Sequence, residues 1–125
     1  MINTNKDPLV SIIITNFNKS SFLLKAVKTC LKQSYQKKEI IFFDDNSTDN
    51  SLDIIKDFEK KNKLNIKIIS NPKKKNNTPP INQIIAIKKS LNKAKGKFIF
   101  LLDSDDFFHK NKIFEIIKIF KKDKE

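Results

Sequence analysis

Residues 97–108, KFIFLLDSDDFF, constrain the fold more than any other stretch. The run from Phe98 to Leu102 is apolar throughout and stops abruptly at Asp103, Ser104, Asp105 and Asp106. A short unbroken apolar run suits a strand buried on both faces, the usual centre of a parallel sheet. The carboxylates that follow do not serve packing, because close carboxylates repel and raise one another's pKa. A hard divalent cation removes that repulsion, and Mg²⁺ or Mn²⁺ sites pair one or two carboxylates with substrate phosphates. The alternative is a solvated turn whose Asp caps the next helix, since an Asp-x-Asp is common by chance.

The same pattern recurs along the chain. Residues 9–15, LVSIIIT, and 39–43, EIIFF, are β-branched or aromatic runs that predict buried strands. Each also ends in a polar cluster, Asn16-Phe17-Asn18 and Asp44-Asp45-Asn46-Ser47. Residues 65–70 predict one more strand. Helices are expected at 19–33, 49–61, 81–94 and 110–122 from their apolar stripes. The first has Ser20 or Ser21 as N-cap, and the third is buried through Ile84, Ile85, Ile87 and Leu91, with Gly96 as its C-terminal stop. Residues 71–80, with three prolines, read as a loop without regular structure. Residues 1–8 and 123–125 read as tails of a single domain spanning 1–125. Alternating strands and helices predict an α/β three-layer sandwich around a mainly parallel, Rossmann-like sheet. Ligands bind at the carboxyl ends of such strands. If the first, second and fourth strands are neighbours, the three polar clusters meet in one crevice.

Composition narrows the choices. The only glycine is Gly96, so no glycine-rich phosphate loop exists. The one cysteine, Cys30, falls in a helical stripe and reads as a small core residue in a reducing compartment. The net charge of +12 attracts polyanions in principle, but all 26 basic residues are lysines and they are scattered. Arginine, the usual residue for bidentate base and phosphate recognition, is missing, so nucleic acid is not the expected partner. No apolar run is long enough to cross a membrane, and the polar start MINTNKDP is not a signal peptide. The expected location is cytoplasmic, with peripheral attachment to the inner face of the membrane as a variant.

The crevice suits a nucleoside diphosphate conjugate. Phe17 can stack on a base or pack under the first helix. Asp44 or Asp45 can accept a hydrogen bond from a base N–H, or simply face the positive end of the next helix. At the fourth strand, one carboxylate can hold ribose hydroxyls and another a metal. Asn46 is placed for a left-handed turn.

Three stretches carry a resemblance: VSIIITNFN at 10–18, FDDNSTD at 43–49 and AKGKFIFLLDSDD at 94–106. They look like the successive motifs of family 2 glycosyltransferases, inverting enzymes of the GT-A fold, and the likeness runs from about residue 9 to the end. The resemblance implies that Thr15, Phe17 and Asn18 line the nucleotide pocket, with Phe17 where a stacking Tyr is usual. It implies that Asp45 meets the base, commonly uracil, that Asp103 and Ser104 approach the sugar-nucleotide, and that Asp105 binds Mn²⁺ or Mg²⁺. It further implies a UDP-sugar donor, a glycan, lipid-linked or other hydroxyl acceptor, and a role in cell-envelope polysaccharide synthesis. The departures are Asn46 for a common Gly, Lys110 for a common Pro, and no Arg on the helix before the fourth strand, where Lys88 lies near. No carboxylate after Asp106 resembles the family's general base. The expectation is therefore a truncated donor-binding portion, inactive alone in transfer and prone to homo-oligomerise. A non-catalytic nucleotide-binding module and a basic polyanion-binding domain are the competing readings.

Overall fold

The computed structural model describes residues 6–71 and 78–123. Strands β1 (Val10–Asn16), β2 (Lys38–Asp44), β3 (Ile66–Ser70) and β4 (Phe98–Asp103) alternate with helices α1 (Leu23–Leu31), α2 (Ser51–Lys61), α3 (Pro79–Leu91) and α4 (Lys112–Asp123). Every expected element is present, with ends moved by a few residues. The sheet is wholly parallel in the order β3-β2-β1-β4. β1 pairs with β2 through Thr15 opposite Phe43 and with β4 through Thr15 opposite Asp103, so the three polar clusters do end side by side.

Side-chain alternation splits the sheet into two faces. Val10, Ile12, Ile14, Ile40, Phe42, Phe100 and Leu102 point to one face, where they form the main core with Leu23, Val27 and Cys30 of α1, Ile55 of α2 and Ile113 and Ile117 of α4. Cys30 is a buried core residue, and burial pushes its thiol up to about 12, which keeps it protonated and unreactive. On the other face Ile13, Ile41 and Phe43 lie under α3, which gives the third layer.

Four local expectations are corrected. β4 is not a central strand buried on both faces. It is an edge strand among the described residues, and Ile99 and Leu101 on its α3-side face are exposed. α3 half-buries Ile85 and Ile87 but does not bury Ile84 or Leu91. It turns Ala86 and Ser90, four residues apart on one face, against the sheet and leaves Ile84 and Leu91 exposed, because small side chains let the helix lie close over β1 and β2. Pro79 and Pro80 belong to the first turn of α3, where their missing N–H groups cost nothing. Gly96 is not a helix stop, since α3 ends at Leu91 with Asn92 as its cap and Gly96 has no positive φ. A Cβ on Gly96 would come within 2.5 Å of the Ser11 backbone nitrogen, so it is glycine for close approach to β1.

Helix α1 starts after Phe22, not at Ser20 or Ser21, and no side chain caps it. Asp7 and Pro8, expected in a tail, are docked: Lys121 donates to Asp7 at 2.5 Å and the Tyr35 hydroxyl to the Pro8 carbonyl at 2.5 Å. Most of the proline-rich loop lies outside the described residues.

Candidate functional site: the carboxyl edge of the sheet

Asn16, the last residue of β1, is the hub of this edge. Its side chain is buried and satisfied on both sides. Nδ2 donates to Asp44 Oδ1 at 2.9 Å and to Ser47 Oγ at 3.2 Å, and Oδ1 accepts from the Ser104 hydroxyl at 2.7 Å. One asparagine on the central strand thereby ties the loops after β2 and β4 to the loop after β1.

The adjacent acids Asp44 and Asp45 have different environments. Asp44 is buried and accepts from the Ser47 hydroxyl at 2.6 Å and the Ser47 N–H at 3.0 Å in addition to Asn16. It is fully used in shaping the turn, in which Asn46 takes a φ of 54°, the left-handed conformation expected of it. Asp45 is half-buried, accepts one side-chain bond from Asn71 Nδ2 at 3.1 Å, and faces a cavity. Asn18 also has a positive φ, 53°. Its Oδ1 accepts from the N–H groups of Thr48 and Asp49 at 2.7 and 3.2 Å, so it clamps the β1 loop to the β2 loop. Asp49 completes the clamp. Partial burial alone would raise its pKa, but bonds from the Ser51 hydroxyl and N–H and from the Ser20 N–H outweigh that and lower it.

After β4, Asp103, Asp105 and Asp106 each bring a carboxylate oxygen within 4.8 Å of the others, and all three residues are exposed. Asp103 Oδ1 accepts from the Thr15 hydroxyl at 3.1 Å and from Gln83 Nε2 at 3.2 Å. Asp105 faces the Lys19 ammonium at 3.6 Å. A compact set of hard oxygen ligands open to solvent on one side fits Mg²⁺ or Mn²⁺ with substrate oxygens completing the shell. Ser104 points inward instead, its hydroxyl committed to Asn16.

A cavity of about 400 Å³ opens over these loops, within the range of small-molecule sites. Asp45 contributes from the β2 side, Thr15, Phe17 and Lys19 from the β1 loop, Asp103 and Asp105 from the β4 side. Phe17 is 38% exposed and lines the cavity rather than sitting wholly under α1. Of the residues singled out from sequence, Thr15, Phe17, Asp45, Asp103, Ser104 and Asp105 lie together here, while Asn18 stands behind them as a loop clamp. Lys88 is exposed on α3 and does not line the cavity.

Lys19 and Gln83 were not picked out from sequence. Lys19 was hidden among the many lysines, and a Gln on an amphipathic helix reads as solvated surface. The available signal is topological: in a parallel α/β unit the strand-to-helix loops and the amino-terminal ends of the helices lie at the carboxyl edge, so polar residues there, such as Lys19 before α1 and Gln83 near the start of α3, can face the site.

The family model for glycosyl transferase family 2 matches residues 11–125. A glycosyltransferase of Haemophilus influenzae that is itself uncharacterised is 40% identical over 106 residues, which cover 85% of this chain and 40% of that protein. Staphylococcus aureus TarS superposes with a TM-score of 0.72 at 26% identity, over 91% of this chain and 20% of TarS. Its shorter form, residues 1–349 in complex with UDP-GlcNAc, gives a TM-score of 0.74 at 23% identity, over 91% of this chain and 31% of that one. The mannosyltransferase PcManGT of Pyrobaculum calidifontis, in complex with GDP-Man and Mn²⁺, gives 0.70 at 17%, over 85% of this chain and 30% of PcManGT. The chain belongs to glycosyltransferase family 2 and has the GT-A fold of these neighbours. It spans well under half the length of each protein it is compared with here.

Proposed function

We propose that this chain binds the nucleotide-sugar donor of an inverting glycosyltransferase, with a UDP-sugar as donor. The observation that carries the reading is the single cavity in which an aromatic ring and a lone available carboxylate from one side meet an acidic cluster from the other. Phe17 stacks on the base and Asp45 accepts its N–H, with Thr15 at the pocket floor and Asn18 holding the loop that carries Phe17. Asp103 takes the ribose hydroxyls, and Ser104 fixes the turn that presents them. Asp105, with its neighbours, holds Mn²⁺ or Mg²⁺. When bound, that ion neutralises charge on the diphosphate leaving group.

In the reaction the acceptor hydroxyl oxygen forms a bond to the anomeric carbon as the bond from that carbon to the diphosphate oxygen breaks, inverting the centre. The acceptor proton passes to a base, and the diphosphate departs with the bonding pair. The residues described here act on the donor side by orienting base and ribose and by balancing diphosphate charge. Lys19 belongs to this group, because the donor adds negative charge to a cavity already lined by Asp45, Asp103 and Asp105. One neighbour is in complex with UDP-GlcNAc and another with GDP-Man and Mn²⁺, so the fold alone does not choose the base; in this reading Asp45 does.

Calorimetric titration with UDP, GDP, CDP and TDP, each with and without Mn²⁺, tests the reading. Metal-dependent preference for UDP supports it. Metal-independent, steeply salt-dependent binding of every polyanion would replace it with a charge-driven surface.

A further inference from the structure

Asp103 lines two cavities. The first is the donor cavity. The second, about 330 Å³, lies on the β4 side and is lined by Ile87, Leu101, Asp106, Phe107 and Lys112 among others. Thr15, Gln83 and Asp103 belong to both walls. These three side chains form a closed set: Gln83 Nε2 lies 3.1 Å from Thr15 Oγ1 and 3.2 Å from Asp103 Oδ1, and Thr15 Oγ1 donates to the same Asp103 oxygen at 3.1 Å. The amide orientation follows from chemistry. A carboxylate only accepts, so the NH₂ side of Gln83 must face Asp103, and the Thr15 hydroxyl, accepting from Gln83, is left to give its proton to Asp103.

We propose that Gln83 is a positioning residue that fixes Asp103 for the donor nucleotide. An exposed Asp between two open cavities has little packing to decide its rotamer, and Asp105 and Asp106, with carboxylate oxygens within 4.8 Å, repel it. Gln83 and Thr15 hold one carboxylate oxygen and leave the other for ligand. Thr15 sits on the rigid central strand, whereas Gln83 comes from α3, so it is the only one of the pair supplied by the opposite layer. The inference rests on the assignment of Asp103 to the donor.

The test is a double-mutant cycle on UDP affinity in Mn²⁺, using wild type, Gln83→Ala, Asp103→Ala and the double variant, with Gln83→Glu as an isosteric control. Gln83→Ala is expected to weaken UDP binding by about 3–10-fold, the range of one net hydrogen bond, at unchanged thermal stability. In the Asp103→Ala background the same change should have no effect. Gln83→Glu keeps the volume but replaces the donor with a carboxylate that repels Asp103, so it should be at least as weak as Gln83→Ala. Additive losses, or full affinity in Gln83→Glu, would show that Gln83 acts by packing and would overturn the proposal. If Asp103→Ala itself leaves UDP affinity unchanged, the donor assignment of Asp103 fails and the inference falls with it.

Discussion

The two ends of the sheet both gather charge, and they use it in opposite ways. At the amino edge, Glu39 of β2 has each oxygen occupied: Oε2 accepts from the Ser11 hydroxyl at 2.5 Å and the Lys95 N–H at 2.6 Å, and Oε1 from the Lys67 ammonium at 2.9 Å. Ser11 in turn accepts from the Gly96 N–H at 2.8 Å, and Lys67 donates to the Lys93 carbonyl at 3.1 Å. That network locks the α3–β4 connection against β1 and β2. At the carboxyl edge, Asp103, Asp105 and Asp106 stand close together and exposed, with Thr15, Gln83 and Lys19 as the donors that reach them. A carboxylate surrounded by the protein's own donors stabilises the fold. A group of carboxylates short of donors is where the proposed ligand would bind. The contrast makes separable predictions, because changes at carboxylates surrounded by the protein's own donors should move stability and changes at the exposed ones should move affinity.

The largest expected effect is at the amino edge. Gly96→Ala places a Cβ 2.5 Å from the Ser11 backbone nitrogen and 2.9 Å from the Val10 carbonyl carbon, neither of which can swing away as a side chain could. Overpacking of this kind costs about 1–3 kcal/mol, more where backbone must shift, and it should appear as a lower denaturant midpoint. UDP affinity of the protein that remains folded should be unchanged. A Gly96→Ala variant with wild-type stability would mean that the β4 entry is looser than the contact distances imply.

Asp44 and Asp45 bring the same contrast to adjacent positions. Asp44→Asn replaces an oxygen that accepts from Ser47 and Asn16 with a donor, leaving donors facing each other in a buried site. The cost is about 1–3 kcal/mol of stability, read by thermal melting. Asp45→Asn should leave the melting temperature alone and weaken UDP binding more than Asp44→Asn does. If Asp45→Asn lowers stability and spares affinity, the two roles have been exchanged.

At the acidic cluster, Asp105→Asn should weaken Mn²⁺-dependent UDP binding by at least about tenfold, or ~1.4 kcal/mol. It should not destabilise the protein, since Asp105 is exposed and its one ion pair, to Lys19, is itself exposed. Equal affinity of wild type and Asp105→Asn in Mn²⁺ would remove Asp105 from the metal site.

The carboxyl edge was the more legible half in the sequence. Each of its motifs sits directly after an apolar run, and parallel α/β topology brings such strand ends together, so placing Thr15, Phe17, Asp45 and Asp103 near one another required only the strand order. The amino edge was not legible. Glu39 looked like the start of a strand and Lys67 like one lysine among many, and their pairing depends on β2–β3 register. Gly96 was misread because glycine after a helix commonly signals a left-handed cap, whereas here the constraint comes from β1, far away in sequence. The face of α3 was misread for a related reason. Hydrophobic periodicity assumes that the largest apolar residues point inward, but a helix lying close over a sheet needs small ones, and Ala86 and Ser90, the buried residues, carry a weaker hydropathy signal than the isoleucines beside them. The central position expected for β4 failed because an unbroken apolar run does not say which neighbour covers the second face. Ile99 and Leu101 are exposed on that face.

The smallest effect is the pH dependence of the amino edge, and its sign distinguishes the two ends further. Partial burial alone would raise the pKa of Glu39, but bonds from Ser11, the Lys95 N–H and Lys67, together with the charge of Lys67, outweigh it and hold the carboxyl below its ordinary value. A folded-state pKa below the unfolded one means that the unfolded chain takes up the proton first. The stability Glu39 contributes is therefore fully present above the unfolded glutamate value of about 4.3 and is lost as pH falls through the depressed folded value. Glu39→Gln removes the titration, so the acid side of its stability curve should be flatter than that of wild type, and the difference between the two proteins should shrink as pH drops below about 4. Wild type and Glu39→Gln unfolding with parallel pH profiles from neutral to acid would mean that the network around Glu39 does not favour the charged form. The amino edge would then no longer be the satisfied counterpart of the acidic edge opposite.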